Sequence, residues 1–387
     1  MKHRFTGYLA TSLLALTVAL PVQAKDTVKI AYVGPLSGGN SALGIGGRNA
    51  TDLAVKLANE NPTSKYSYEL VVVDDECKPN IGVQVVTKIA TDRSIIGSVS
   101  NYCSAVAMAT LDIYKKFNLP MIVWGAVLPD ITYAQKISEI HRVNGTMIQP
   151  NMVAAEFMVK QGYKTWAILH DTTDYGKGHN RYFSEYLQKN GGKILGTFGV
   201  TADQQDFTAE LTKVKELNPD VVYFGGLTPI GIRIRAQMEK LGIKAQFQGT
   251  SGIKSDSYIE SLGKELAEGT LSLTEGVALE RLPRGAAFSE AYAKHGYDQP
   301  FEAYGPFAFA AANLIIDAIE KVGPNRRKVN EELGKTKDAD TVIGKVSFDD
   351  HGQNIIPLVT KYVVQDGKWV VWEDSEYGAG KRKLKGL

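Results

Sequence analysis

The chain has 387 residues, of which 44% are apolar and 22% are charged, values that are typical of a globular protein. This length predicts about two domains, each large enough to bury its own core. The net charge of +2 argues against a dedicated nucleic-acid surface, and the basic tail at 381–385 is most simply a solvated end.

The first 24 residues have the pattern of a secretory signal. Basic residues at 2–4 precede an apolar run from Tyr8 to Leu20, and small residues up to Ala24 mark a cleavage point. The run is too short for a membrane anchor, which needs about 20 apolar residues. We therefore predict a signal peptide, 1–24, cut after Ala24. No lipobox cysteine follows, which favours a free protein in the periplasm of a two-membrane bacterium.

Apolar runs and amphipathic stretches alternate along the mature chain. The first series predicts strands at 28–33, 68–73, 95–99 and 121–124, and helices at 48–59, 82–91 and 104–116. The second series, from Thr146, predicts helices at 150–160, 178–189, 207–217 and 229–241, and strands at 165–170, 193–198, 220–224 and 245–249. Such alternation indicates βαβ units and parallel sheets, so the fold class is α/β with two doubly wound, Rossmann-like lobes.

A third block begins near Gly269. It predicts a strand at 270–274, helices at 286–295 and 304–321, and a strand at 341–348. The chain then ends in a predicted β-hairpin of segments 358–364 and 369–372 around the Asp-Gly turn at Asp366.

The junction between the third strand and its helix, Ser98–Ala105, has the pattern of an anion site. Ser104 lies where the helix should start, so its hydroxyl can cap the free amides. Those amides and the positive end of the helix dipole attract a negative group. In open α/β sheets, ligands bind in the crevice beyond the carboxyl ends of strands, where this turn would lie. A simple helix cap is the alternative interpretation.

The two cysteines, Cys77 and Cys103, each follow a predicted strand. An even count in an exported chain predicts a disulfide, and neighbouring strands of one sheet could bring the two sulfurs together. Without a matching histidine pair, a metal site is not expected.

Motifs for catalysis or cofactors are weak in this chain. The glycines at 44–47 resemble a dinucleotide loop but lack the third glycine. The sequence has no phosphate-binding loop and no Gly-x-Ser-x-Gly elbow, and its histidines show no metal-ligand spacing. We predict no cofactor, no metal and no enzymatic activity.

A set of segments, taken in their order and spacing, resembles the type I periplasmic solute-binding proteins, in particular the leucine/isoleucine/valine branch of ABC uptake systems. The resemblance spans nearly the whole mature chain and is carried by the segments 30–38, 73–77, 102–104, 112–114, 170–176, 206–207, 222–226 and 248–252, with Gln237 and Gly242.

This resemblance implies two lobes joined by three hinge strands that cross near 145, 275 and 351. The first lobe would contain 25–145 with 275–351, and the second lobe 146–274 with 352–387. The ligand would lie between the lobes, and closure would present a surface to the membrane permease. A monomer is expected.

The resemblance also implies the ligand-binding residues. It places the hydrogen bond to the ligand carboxylate on Ser104 and backbone contacts on the loop after the fourth strand. The aromatic side chain that closes from the second lobe is Tyr175. The full predicted set is Tyr102, Cys103, Ser104, Trp124, Gly125, Ala126, Val127, Tyr175, Leu227, Ser251 and Tyr304.

Three positions depart from the amino-acid binders, which use a threonine, a tyrosine and a glutamate to hold the ligand's ammonium. Here these positions are Val127, Leu227 and Ser251. A desolvated ammonium without an acceptor is costly, so we predict a small carboxylate that lacks an α-amino group. The clustered aromatic residues suit an aromatic acid, and the alternative for Trp124 and Tyr304 is a place in the core. Glu302 or Asp174 could supply the missing anion, which keeps an amino-acid or amide ligand as the alternative.

Two other functions are alternatives to a transport receptor. A sensor domain would need an attached membrane or signalling segment, and an exported enzyme would need converging titratable groups in the crevice. The sequence shows neither feature, so a receptor that binds without changing its ligand is the prediction.

Overall fold

The computed structural model describes residues 1, 3 and 25–386, so the predicted signal segment, apart from residues 1 and 3, lies outside the described residues. The first part of the described chain alternates strands and helices from the start. Its elements are β1 Thr27–Gly34, α1 Ser41–Glu60, β2 Ser67–Asp74, α2 Pro79–Thr91, β3 Ile95–Ser100, α3 Ser104–Phe117, β4 Met121–Val123, α4 Asp130–Tyr133 and β5 Ile140–Arg142.

The middle of the chain repeats the pattern, and the last part is mostly helical before a final hairpin. The middle elements are α5 Ile148–Lys160, β6 Thr165–Asp171, α6 Asp174–Lys189, β7 Lys193–Val200, α7 Thr208–Leu217, β8 Val221–Gly225, α8 Thr228–Lys240, β9 Gln246–Gly249, α9 Asp256–Leu262, α10 Lys264–Ala267 and β10 Leu271–Glu275. The last elements are α11 Gly285–Lys294, α12 Gly305–Val322, α13 Arg326–Leu333, β11 Ala339–Thr341, β12 Gly344–Val346, β13 Val359–Gln365 and β14 Lys368–Val371.

Two large sheets organise these elements into two lobes. The first sheet has the parallel order β2-β1-β3-β4-β5, and the second has the order β14-β13-β10-β9-β8-β6-β7. In the second sheet the pairs β10–β13 and β13–β14 are antiparallel, and the other neighbouring strands pair in parallel. The predicted α/β class with two doubly wound lobes is confirmed.

Each sheet has an apolar core on both faces. In β1, Ile30 and Tyr32 face one buried cluster, while Ala31 and Val33 face another, as the two-residue period of a strand requires. The strand is therefore apolar along its length, which is typical of a parallel sheet covered by helices on both sides. Among the described residues, no helix is both long and apolar enough to cross a membrane.

The hinge between the lobes is built from backbone hydrogen bonds among three segments. The Asn354 amide donates to the Arg142 carbonyl at 2.9 Å, so the third segment still lies on the first sheet at this residue. It then turns towards the second sheet, where the Gly276 amide donates to the Leu358 carbonyl at 2.8 Å. The lobe boundaries given above stay a prediction.

Three predictions about local structure are wrong. The strand at 341–348 is the two short strands β11 and β12, because Gly344 has a φ of +95° and turns the chain. Helix α1 begins at Ser41 rather than at Arg48. The strands that precede the two cysteines are not neighbours, since β1 lies between β2 and β3. The Asp366-Gly367 hairpin is confirmed, with both φ angles positive.

Candidate functional site

The first wall of the inter-lobe site is the junction between β3 and α3. Ser104 is buried as the first residue of α3, and Cys103 is the residue that precedes the helix. The predicted cap is wrong: the Ser104 hydroxyl accepts from the Leu128 amide at 3.3 Å instead of capping its own helix. The first turn of α3 therefore has no side-chain cap among the described residues, and its amides are available to an anion.

The loop after β4 packs directly against this junction. The Ala126 amide donates to the Asn101 carbonyl at 3.1 Å, and the Met147 amide donates to the Val127 carbonyl at 2.9 Å. A Cβ atom at Gly125 would lie only 2.8 Å from the Tyr102 ring, so only glycine fits there without displacing the ring. The structure thus brings Gly125, Ala126 and Val127 to the same place as Tyr102.

Three of the predicted aromatic side chains, Tyr102, Trp124 and Tyr304, pack against one another. The ring centroids of Tyr102 and Tyr304 are 5.7 Å apart in an edge-on arrangement, and the centroid of Trp124 lies 5.7 Å from Tyr102 on another side. Trp124 is fully buried, contacts the Tyr32 ring and donates to the Val33 carbonyl at 3.3 Å. Trp124 therefore belongs to the core of the first lobe, where its ring packs against the ring of Tyr102.

The second lobe contributes residues from three places, each of which follows the carboxyl end of a strand. Tyr175, in the first turn of α6, shares a hydrogen bond with the Thr250 hydroxyl at 2.8 Å and accepts from the Gly252 amide at 3.1 Å. Ser251 lies between these last two residues and is also buried. Leu227 precedes α8 and packs against apolar clusters of the first lobe.

The two lobes are in contact across the site. Tyr175 belongs to a buried cluster made otherwise of first-lobe side chains, with Met147 of the hinge. A Cβ atom at Gly39 of the first lobe would lie 2.6 Å from the Pro229 ring of the second. The Asp256 amide also donates to Glu302 at 3.2 Å. The structure is therefore a closed form, in which Ser104, Tyr102, Tyr175, Ser251 and Tyr304 are all buried.

The disulfide joins Cys77 to Cys103, with the Cα atoms 5.5 Å apart. Because β2 and β3 flank β1, the bond bridges the carboxyl end of the strand between them. It also fixes the residue directly before Ser104. The predicted pairing is confirmed, and the bond ties the turn before α3 to the loop after β2.

Sequence reasoning missed Glu275, the last residue of β10. Its side chain is 4% exposed, and within the described part of the chain neither carboxyl oxygen has a hydrogen-bond partner. Burial raises the pKa of Glu275 to about 7, while its own backbone amide, the nearby Tyr304 and Asn144 side chains and the charge of Arg142 lower it in part. An acidic residue at the end of a buried strand, next to a hinge, was the available signal.

The two acidic residues offered as alternatives differ in position. Asp174 is exposed in the first turn of α6. Glu302 lies on the rim of the closed cleft, and burial, with the charge of Asp256, raises its pKa to about 7. Of these two, only Glu302 has a partly buried carboxyl between the lobes.

Replacing Glu275 by glutamine is expected to stabilise the protein above pH 7 and to leave its stability unchanged near pH 4. The folded state raises the pKa of this carboxyl from 4.5 to about 7, so folding favours the protonated form. The cost is absent below the unfolded pKa and grows as the pH rises through the folded pKa, to about 3 kcal/mol. Urea unfolding of both proteins between pH 4 and 8 measures this difference, and a difference that does not depend on pH would contradict it.

Comparison with known proteins agrees with this architecture. The sequence profile of the family described as periplasmic binding protein matches residues 27–368. The leucine-, isoleucine-, valine-, threonine- and alanine-binding protein of Pseudomonas aeruginosa is 31% identical over 335 residues, which are 85% of this chain and 87% of that protein. The Leu/Ile/Val-binding protein homolog 2 of Brucella abortus is 30% identical over 382 residues, covering 97% and 98% of the two chains.

Solved structures share the fold. The leucine-binding protein LivK of Thermotoga maritima superposes with a TM-score of 0.80 at 25% identity, covering 89% of this chain and 97% of that one. An ABC transporter solute-binding protein of R. palustris, in complex with benzoate, has a TM-score of 0.80 at 18% identity and covers 89% and 95%. The chain therefore belongs to the periplasmic binding protein family, and within it to the type that serves branched-chain amino acid ABC transporters.

Proposed function

We propose that this protein captures a small carboxylate lacking an α-amino group, with aromatic acids favoured, and delivers it to the permease of an ABC importer. It acts as a free periplasmic monomer after cleavage at Ala24, and it releases its ligand chemically unchanged. Membership of the family supports the delivery role, because the relatives named above are solute-binding proteins. The observation that carries the choice of ligand is that the site offers donors to a carboxylate but no anion at the positions where the amino-acid binders hold an ammonium group.

One end of the site suits a carboxylate. The first turn of α3 carries free amides at the positive end of a 14-residue helix, and the Ser104 hydroxyl lies beside them. Charge-assisted hydrogen bonds from amides to an oxyanion are among the stronger hydrogen bonds in proteins. The loop from Gly125 to Val127 closes this corner, so a carboxylate bound here would be shielded from water.

The three positions at which the amino-acid binders hold an α-ammonium group offer no carboxylate here. Val127 is a buried apolar side chain, Leu227 packs against apolar residues, and Ser251 presents a neutral hydroxyl. Placing an ammonium among them would remove its hydration without supplying an anion. The Tyr102 and Tyr304 rings are instead suited to a planar apolar body, as in the benzoate bound by the R. palustris protein.

A second candidate, a receptor for branched-chain or other amino acids or amides, is favoured by one observation. The buried carboxyl of Glu275 has no hydrogen-bond partner in the described chain and would be satisfied by an ammonium or amide. The names of the relatives from P. aeruginosa and B. abortus point the same way. Under this alternative, Glu275 replaces the acidic group that Ser251 lacks.

Calorimetry separates the two candidates. Protein that has been unfolded, dialysed and refolded to remove bound molecules is titrated with leucine, benzoate and hexanoate. We expect benzoate or hexanoate to bind at least tenfold more tightly than leucine. Tight binding of leucine with weak binding of both acids would overturn the proposed ligand class and support the amino-acid receptor.

The variant Ser104→Ala is expected to weaken binding of the preferred carboxylate by about 1–3 kcal/mol, which is the usual effect of leaving a charged acceptor without one donor. The matched control is Ser184→Ala, a half-buried serine of α6 whose hydroxyl bonds to Asn180 of the same helix, outside the site. Calorimetry with the same acid should show a loss in the first variant alone. Equal affinities in both variants would remove Ser104 from the site.

A further inference from the structure

A cavity of about 290 Å³ adjoins the site between the lobes. Its walls come from the first lobe, the second lobe and two hinge segments, and the residues that matter here are Lys254, Glu275, Glu302, Tyr304, Phe307 and Tyr362. We call this cavity the distal compartment. Because both lobes form it, its shape depends on closure in the same way as the ligand site.

Tyr304 connects the distal compartment to the carboxylate corner, by which we mean the first turn of α3 with the loop from Gly125 to Val127. Its ring lines the compartment, and the same ring packs edge-on against Tyr102, which is two residues before Ser104. A ligand anchored at α3 and lying along these rings would therefore point its far end towards the compartment. The Phe307 ring, 5.8 Å from Tyr304 between centroids, continues the apolar wall.

Neither of the two positive charges near the compartment is paired with Glu275. Lys254 lies 4.7 Å above the Tyr362 ring and faces the carboxylates of Asp256, Glu302 and Glu280. Arg142 directs its guanidinium at Gln353, Thr132 and the carbonyls of Ala126 and Leu128. Neither side chain makes a hydrogen bond to Glu275.

In the part of the chain that the structure describes, the buried polar atoms without a hydrogen-bond partner around Tyr304 include three acceptor oxygens and the Tyr102 hydroxyl. Both carboxyl oxygens of Glu275 and the side-chain oxygen of the nearby Asn144 are buried and have no hydrogen-bond partner among residues 25–386. A buried acceptor without a donor is destabilising unless another molecule supplies the donor. The group that fits between Glu275 and Asn144 is therefore one that donates hydrogen bonds.

We propose that the distal compartment binds the end of the ligand opposite its carboxylate, and that this end carries a hydroxyl or amino group that donates to Glu275. The inference rests on the proposed function, since it assumes a carboxylate held at α3. It narrows the ligand class to elongated acids such as hydroxy- or amino-substituted aromatic acids and ω-amino acids. Glu275 then determines specificity for the far end, while Ser104 binds the near end.

Two pairs of ligands test this assignment, each differing only in the donor. They are 4-hydroxybenzoate against 4-methylbenzoate, and 5-aminopentanoate against hexanoate. We expect the wild-type protein to prefer the donor-bearing member of at least one pair tenfold or more. Glu275→Leu should bring that ratio close to one, while Glu290→Leu, on the exposed face of α11, should keep it.

Glu275→Gln provides a second test that does not depend on the leucine variant folding. Glutamine keeps one acceptor oxygen and loses the charge, so it should retain a preference for the hydroxyl and lose a preference for the amine. A wild-type protein that binds these acids without preferring either donor overturns the distal compartment and leaves the proposed function standing. A protein that binds leucine tightly and none of these acids overturns both, and a preference unchanged in Glu275→Leu removes the role of Glu275.

Discussion

Replacing Arg142 by methionine is expected to lower the free energy of unfolding by about 3–5 kcal/mol, because breaking a buried charged network leaves its partners unpaired. Arg142 is fully buried at the end of β5 and donates to the carbonyls of Ala126 and Leu128. It also donates to Gln353, so a single side chain joins the loop after β4 to the third hinge segment. We therefore expect ligand affinity to fall together with stability.

A second buried arginine provides the control for this experiment. Arg326, at the start of α13, donates to the carbonyls of Ile95, Ala90, Phe117 and Asp92, none of which lies in the ligand site. Arg326→Met should lower the unfolding free energy by a similar amount and leave affinity unchanged. Urea unfolding and calorimetry on both variants give the two quantities. Equal effects on affinity in the two variants would show that Arg142 acts only through global stability.

Removal of the disulfide has the second large expected effect. The double variant with Cys77→Ala and Cys103→Ala opens a loop closed at a sequence separation of 26, which the chain-entropy relation equates with about 3.5 kcal/mol. For a lobe of this size that corresponds to a fall in Tm of about 7–14 °C. Calorimetric melting measures it, and reduction of the wild-type protein should reproduce it. An unchanged Tm would mean that the denatured chain is already constrained there.

The same double variant should reduce the free energy of ligand binding by less than it reduces the free energy of unfolding. Cys103 precedes Ser104, but the Ser104 hydroxyl and the first turn of α3 are also held by the Leu128 amide and by burial. A loss of affinity larger than that of Ser104→Ala would show that the disulfide itself positions the turn.

The regular elements could be predicted because their signals are local. The apolar runs of β1 and β3 are buried on both faces, and the Asp366-Gly367 turn needs two positive φ angles, which these residues adopt most readily. Resemblance to a known family then supplied the pairing of lobes and the corner at Ser104. These features depend on residues that are close in sequence or on motifs that keep their spacing.

The start of α1 could not be predicted, because tertiary contacts override propensity there. Its first turns contain three glycines, which lower helix propensity, and the prediction began at Arg48. In the structure, a Cβ atom at Gly44 would lie 1.7 Å from the Pro35 carbonyl oxygen, and one at Gly47 would lie 2.8 Å from Trp124. Close packing requires glycine at these helical positions, and a single sequence does not show which residues from other parts of the chain pack there.

The local environment of the site residues could not be predicted from the sequence either. The Ser104 hydroxyl accepts from Leu128, 24 positions away, so a helix cap was the natural but wrong expectation. Glu275 acquires its significance from Asn144, Tyr304 and Arg142, which three different segments bring together. Chemistry at a point where hinge segments meet depends on contacts between distant parts of the chain.

The order of strands has a consequence for how the protein is made. In the second sheet β10 pairs with β13, which is separated from it in sequence by α11–α13 and the β11–β12 hairpin. During synthesis the first lobe can acquire all its elements while β10 still presents a bare edge to solvent. The unpaired backbone groups of such an edge can pair with strands of other chains. A nascent or truncated chain lacking the final hairpin should therefore aggregate through its second lobe, and a holding chaperone would be most useful in that interval.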